Sequence, residues 1–318
     1  MTPSASNKLA LIMCVCNEAE VIADHLRYHH HQGVSKAYVF LDHCTDGTRD
    51  VLASFPWVDA IEHSRPAECP GLPEHQKDCA AQALELARAD GFEWLIHIDP
   101  DEYAWADNAG ATLRERGNLL TLLERARPDT ELIHLRPKEV IPTREAGDRP
   151  FWHQVYFQER NQTFERDILD PTTGQIRRLE KWAGHRIGKS IVRTACDIEP
   201  RDAHSWIRRR QEHDTAPAQL VTESLGFHYH FVFMGPIRWL EKYRKLAWEP
   251  DTWITGNKVP FPKQAWKDAS QVFSQRDAEE YYERWIVVDN DIVEQRVSAG
   301  CAVRETTVRD TMLSLNSI

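Results

Sequence analysis

The sequence predicts an α/β fold: a doubly wound, mostly parallel sheet flanked by helices, followed by a smaller region and a helical C-terminus. Three observations lead there. Through the first hundred residues, apolar runs of strand length alternate with segments whose apolar residues recur at helical spacing. Each run ends in a polar turn, and a parallel sheet gathers such turns along one edge. The composition, 42% hydrophobic and 28% charged over 318 residues, is that of a chain able to bury a sizeable core.

Leu9 to Cys16 (LALIMCVC) is a continuous apolar run, the pattern of a strand buried on both faces. From Glu20 to Gln32, Val21, Ile22, Leu26 and Tyr28 fall on a helical stripe, and Gly33 is placed to end it. Lys36 to Leu41 (KAYVFL) reads as the second strand. The turn residues Asp42 to Thr48 (DHCTDGT) lead into a short helix, Arg49 to Ser54, and Val58 to Glu62 is a third strand. Three prolines and a glycine make Arg65 to Pro73 a loop. Glu74 to Asp90 returns to helical spacing at Ala80, Ala83, Leu84 and Ala87, and Gly91 closes it. Phe92 to Ile98 (FEWLIHI) is the strongest strand of the chain.

Beyond residue 105 the pattern loosens. A helix is expected over Leu113 to Arg127, strands over Glu131 to Pro137 and Lys189 to Thr194, and a further strand, carrying His228 and His230, over Leu225 to Phe233. Ile237 to Trp248 is helical in spacing. So is much of the tail from Asp277, chiefly Glu279 to Trp285 and Ile292 to Val297.

Composition excludes several function classes. A net charge of −10, from 39 Lys and Arg against 49 Asp and Glu, argues against a surface that wraps duplex nucleic acid. A local basic cluster runs through Arg177, Arg178, Lys181, Arg186, Lys189 and Arg193, with Arg208 to Arg210 following. No apolar run approaches the roughly 20 residues of a membrane span, and MTPSASNK lacks the core of a signal peptide. A cytoplasmic chain is expected, with peripheral attachment at the inner membrane surface as the alternative. Seven scattered cysteines read as reduced thiols, and Cys14 with Cys16, a C-x-C inside an apolar strand, as small buried residues.

The chemistry is expected at Asp99-Pro100-Asp101-Glu102, directly after the strongest strand. Residues two apart in extended chain point to one side, so Asp99 and Asp101 can share an ion; oxygen ligands of this kind suit Mg²⁺ or Mn²⁺. The tripeptide is common by chance. Its context adds weight, because the same edge is expected to receive Asn17-Glu18 and Asp42-His43 from the earlier strands.

The string LALIMCVCNEAEVIADHLRYHHHQGVSKAYVFLDHCTDGT, followed some fifty residues later by EWLIHIDPDEY, resembles the family 2 and family 92 glycosyltransferases over roughly the first 105 residues. FHYHFVFMGPIRWLEKYRK is similar to a His-Tyr motif and helix late in those domains. The resemblance implies a GT-A fold, a nucleotide-sugar donor, a UDP-linked one with galactose as first candidate, and a Mn²⁺ or Mg²⁺ ion held by the D-x-D acids. It further implies a nucleoside pocket at Asn17 and Glu18, a base or ribose contact at Asp42, and donor-side positions at Gln76 and Lys77, while Asp46 and Gly47 shape a turn. His228 is the matching histidine for the metal shell, although His230 leaves the choice open. On this reading residues 1–105 form the nucleotide-sugar-binding half, 106–250 the acceptor-binding half, and 251–318 a mainly helical extension.

Such an enzyme, a hexosyltransferase acting on a glycan, a lipid-linked saccharide or another hydroxyl acceptor, is expected to invert the sugar. Lys189, Arg186 or Arg193 would add positive charge to the diphosphate. Inversion needs a carboxylate base, which the resemblance places well downstream of the acid pair. Glu180, Asp197, Glu212 and Asp214 are in range, and Glu180, isolated among basic residues beside Trp182, is the first choice. Some of Trp152, Trp182, Trp206, Trp239, Trp248, Trp253, Trp266 and Trp285 are expected to stack on acceptor sugars, and most to be core or rim residues. A nucleotidyltransferase on a similar sheet is disfavoured by the lack of glycine after the first strand. A degenerate binding or scaffold module is disfavoured by the intact Asp99, Asp101 and His228. Adjacent His29, His30 and His31 point apart on a helix and make a poor zinc site.

Overall fold

The computed structural model describes residues 8–69, 71–107, 117–147, 149–159, 162, 165–179, 187–209, 219–251, 258–259 and 261–317. In chain order the elements begin β1 (Leu9–Val15), α1 (Ile22–His31), β2 (Lys36–Leu41), α2 (Thr48–Leu52), β3 (Val58–Glu62), α3 (Leu72–Ala89), β4 (Trp94–His97), β5 (Glu102–Trp105), α4 (Leu119–Arg125) and β6 (Leu132–Val140). Then come β7 (Tyr156–Glu159), β8 (Arg166–Leu169), β9 (Ile176–Leu179), β10 (Lys189–Arg193), β11 (Ile198–Pro200), β12 (Trp206–Arg208) and β13 (Thr222–His230). The chain closes with α5 (Pro236–Leu246), α6 (Lys263–Ser270), α7 (Gln275–Tyr281), α8 (Asn290–Ser298), β14 (Val303–Arg304) and α9 (Thr307–Leu315). It divides into two units: Met1–Pro137 with Ile187–His228, and Lys138–Arg186 with Tyr229–Ile318.

In the first unit β3, β2, β1 and β4 lie side by side in that order, and all three pairings are parallel. The chain thus winds outward from β1 through β2 to β3, then returns to place β4 on the other flank of β1. The switch point between β1 and β4 is where a doubly wound sheet opens a crevice at its carboxyl edge. Alternate residues of β1 go to opposite faces. Leu9, Leu11, Met13 and Val15 pack with Ile22, Leu26 and Leu52, whereas Ala10, Ile12 and Cys14 pack with Cys79, Ala80, Ala83 and Leu84 of α3. Helices therefore cover both faces, which is why β1 is buried along its whole length. Parallel pairing stops at β4: β10 lies antiparallel beside it, and residues Leu132 to Leu135 of β6 antiparallel beside β10. β13 pairs with β5 and β6, and β11 with β12 as a small antiparallel pair.

Two local expectations need correction. The loop expected to Pro73 ends sooner, because α3 begins at Leu72 with Pro73 in its first turn, where a missing N–H costs no intrahelical bond. Of the helix expected from Leu113, the described part begins at Leu119; Asn118 caps it by accepting from the Leu120 N–H at 2.9 Å.

In the second unit β7 pairs antiparallel with Lys138–Val140 of β6 and with β14, and β8 pairs with β9. Its core is aromatic. Trp239 stacks on Tyr281 at 5.6 Å, and Trp266 meets Tyr243 edge-on at 5.2 Å while its Nε1 donates to Tyr281 Oη at 3.0 Å. Trp239 and Trp266 are fully buried here, and Trp152 is buried and stacked on His153, so none of the three is open to a sugar. Trp206 is likewise buried, in the first unit, whereas Trp248 is 86% exposed. Trp182 and Trp253 lie outside the described residues. Among the described residues no helix is long and apolar enough to cross a membrane.

Candidate functional site

Asp99 follows β4 at the carboxyl edge, and the chain turns there: the Glu102 N–H donates to Asp99 O at 3.0 Å, and the Asp99 N–H donates to Glu102 Oε2 at 2.9 Å. Glu102 is thereby drawn into the protein, at 1% exposure, and opens β5. Lys189, the first residue of β10, reaches the same turn. Its ammonium donates to Asp99 Oδ2 at 2.7 Å, lies 3.2 Å from Glu102 Oε2 and reaches Ala203 O at 3.4 Å. Burial alone would raise the Asp99 carboxyl, but the Lys189 ammonium overrides it and holds the group down at about 2. Burial would likewise deprotonate Lys189, and the charges of Asp99 and Glu102 instead keep its pKa above the usual lysine value.

His228 joins this group through β13, whose pairing with β5 brings its Nε2 to 3.6 Å from Glu102 Oε1. His230 has a different partner: its Nδ1 lies 2.8 Å from Glu139 Oε2. Of the two histidines, His228 is the one beside the acids. Gln76 Nε2 approaches Asp99 Oδ1 from α3 at 3.5 Å, a long contact. Asp101 is half-buried and close enough to raise the Asp99 carboxyl electrostatically. Two glycines make the approach of Lys189 and His228 possible. Gly188 has φ +81° and a Cβ there would meet Leu135 O at 2.2 Å; Gly226 has φ +75° and its Cβ would meet Trp105 O at 2.4 Å.

The loops after β1 and β2 are tied into one another. Asn17, at φ 56°, accepts from the Thr45 and Asp46 N–H groups at 2.7 and 3.2 Å; Asp46 accepts from Ala19 N–H and from Thr48, and Thr48 Oγ1 accepts from Glu18 N–H at 2.8 Å. Asp42 is buried, accepts from the Arg65 N–H at 2.8 Å and lies 3.8 Å from His75 Nε2. Lys77, by contrast, faces Glu74 on its own helix at 3.9 Å and touches none of these groups in the bonds described. Glu180, with Glu212, Asp214, Lys181 and Arg186, lies outside the described residues. Asp197 faces Arg209 at 3.8 Å on the surface. The basic cluster is dispersed: Arg177 packs over Phe261, Arg178 pairs with Glu165, and Arg193 lies over Trp94 and donates to Thr130 O.

Three features escaped the reading of the sequence. Glu102 is the hub of the acid turn. His25 and His29, one turn apart on α1, brace it from behind: His25 Nε2 donates to Glu102 O at 2.9 Å, while His29 donates from Nδ1 to His25 O and accepts at Nε2 from the Ala104 N–H. Both are buried and held neutral, His25 with its pKa down at about 4 chiefly by burial. His97, the last residue of β4, is also fully buried with its pKa lowered to about 3 by burial and then by Lys189, and its ring nitrogens find no hydrogen-bond partner among the described residues. Polar residues in the apolar run FEWLIHI and at i, i+4 on α1 were the available signals.

No family model and no curated protein matches this chain. Among solved structures, it is similar to HddC from Yersinia pseudotuberculosis at 14% identity, covering 70% of this chain and 92% of that one with a TM-score of 0.35. A mycobacterial protein is 13% identical over 59% of this chain and 53% of its own, TM-score 0.31. Glucosyl-3-phosphoglycerate synthase from Mycobacterium tuberculosis, solved with phosphoglyceric acid, is 14% identical over 59% of this chain and 57% of its own, TM-score 0.29. The chain thus spans little more than half the length of the second and third of these structures.

Proposed function

We propose that this chain is a metal-dependent glycosyltransferase of GT-A type that moves a sugar from a nucleotide-sugar donor, UDP-linked with galactose as first candidate, to a hydroxyl acceptor with inversion. One observation carries the reading: Asp99, Asp101 and Glu102 gather three carboxylates at the switch point of a doubly wound sheet, against the ammonium of Lys189 among the described residues. Asp99 and Asp101 would hold Mn²⁺ or Mg²⁺, with His228 as a nitrogen ligand, and the ion would neutralise a departing nucleoside diphosphate as a Lewis acid. The resemblance of the D-P-D-E-Y and N-E turns to family 2 and family 92 glycosyltransferases supports the same reading.

The chain's own residues have separate tasks. Lys189 holds Asp99 ionised and both Asp99 and Glu102 in place, Asn17, Glu18 and Asp42 border the nucleoside, and Gln76 orients Asp99. Lys77 is assigned to the donor side by the resemblance alone, and Glu180 to the acceptor proton by its place downstream of the acid pair, isolated among basic residues beside Trp182. A screen of donor hydrolysis across nucleotide sugars with Mn²⁺ tests the proposal: one UDP-sugar should be turned over, and Asp101→Ala should abolish that turnover. Full activity in Asp101→Ala would show the metal site to be wrong. Glu180→Gln should lose transfer while keeping donor affinity.

A further inference from the structure

A second group of ligand atoms, different in kind from the acid turn, lies on the α3 face of the sheet. His75 and Cys79 are one turn apart on α3, and Cys14 faces them from β1. Cys14 Sγ, Cys79 Sγ and a His75 ring nitrogen all lie within 4.8 Å of one another, and the three residues are buried. His75 Nε2 and Cys79 Sγ are 3.8 Å apart. With metal–sulfur and metal–nitrogen bonds of about 2.3 and 2.0 Å, ligand atoms of a tetrahedral zinc stand roughly 3.6 Å apart, so the observed spacing is that of one tetrahedral edge. The same nitrogen also faces Asp42 Oδ1 at 3.8 Å, and the His75 ring is stacked on His63 at 5.1 Å with 16° between planes. Elsewhere α3 fills the buried stripe against β1 with Ala80, Ala83 and Ala87.

We propose that Cys14, His75 and Cys79 form a thiolate-rich site for a zinc-class divalent ion, which pins β1 to α3 beneath the loop of Asp42. Two thiolates and an imidazole suit Zn²⁺ far better than Mg²⁺ or Mn²⁺, so the site is chemically distinct from the acid turn. Binding takes M²⁺ with two thiols and a neutral imidazole, and releases two protons to the buffer. The test is metal analysis of untagged, reduced protein after dialysis. Stoichiometric zinc is expected in the wild type and in Asp101→Ala and Cys196→Ser, and none in Cys14→Ser or Cys79→Ser. Should the serine variants fail to fold, Co²⁺ titration of the wild type after its zinc has been removed with a chelator decides the matter. A saturable thiolate-to-cobalt charge-transfer band at one equivalent supports the site, and its absence overturns it. Zinc retained in folded Cys79→Ser, or a Cys14–Cys79 disulfide in freshly isolated protein, overturns it equally.

Discussion

At the scale of single residues, the decisive feature is a buried ammonium between two carboxylates. Removing Lys189 leaves Asp99 and Glu102 without the charge that offsets their burial, and such losses cost about 3–5 kcal/mol. Lys189→Met should therefore unfold at markedly lower urea concentration, and Lys189→Met with Glu102→Gln should recover part of the loss, a coupling that a double-mutant cycle reads directly. Asp101→Asn, which keeps the size of the side chain and removes its charge, should lower Mn²⁺-dependent turnover by about 100-fold or more. The sequence made Asp99, Asp101 and His228 visible because they follow or sit in readable strands. Glu102 looked like one more solvated turn acid, and its burial, its hydrogen bond from Asp99 N–H and its contact with Lys189 reveal that it points inward. Lys189 read as a phosphate contact because its partners stand about ninety residues away in the chain.

At the scale of elements, β1 to β4 were legible because buried parallel strands and the helices between them carry dense local periodicity. β5 was not: four residues directly after a turn become a strand only by pairing with β13, a distant partner that no local pattern announces. The same pairing depends on Gly226, and the entry of β10 on Gly188. Gly188→Ala should lower stability by about 1–3 kcal/mol through its positive φ and the clash with Leu135 O, and weaken Mn²⁺ affinity by displacing Lys189. α1 makes a separate prediction. His25 and His29 are neutral in the fold with pKa values depressed below that of an unfolded histidine, so their stabilisation is complete above about pH 6.5 and is lost as pH falls below it, for His25 down to about 4. The unfolding free energy should decline between pH 7 and 5 with a slope of about 1 kcal/mol per pH unit per histidine, seen as a falling melting temperature, and His29→Gln should flatten it; a melting temperature constant over that range would contradict the buried neutral pair.

At the scale of the molecule, the chain is acidic, at −10, and three of its carboxylates, Asp99, Asp101 and Glu102, gather at the candidate site. A nucleoside diphosphate is itself an anion, so its binding at this edge is expected to depend on a divalent ion, and chelation should abolish it. Each of the two units is assembled from two separate segments, with β6 and β13 running from one unit into the other. A linear pattern reads segments in turn and has no means of joining them. The measurement that bears most directly on the proposed function is calorimetric titration of UDP into the protein with Mn²⁺, with EDTA, and into Asp101→Ala with Mn²⁺. Saturable binding in the first case alone is the expected result. UDP affinity unchanged by EDTA and by Asp101→Ala, or no affinity for UDP or any other nucleoside diphosphate in the presence of Mn²⁺, would contradict a metal-nucleotide site at Asp99 and Asp101.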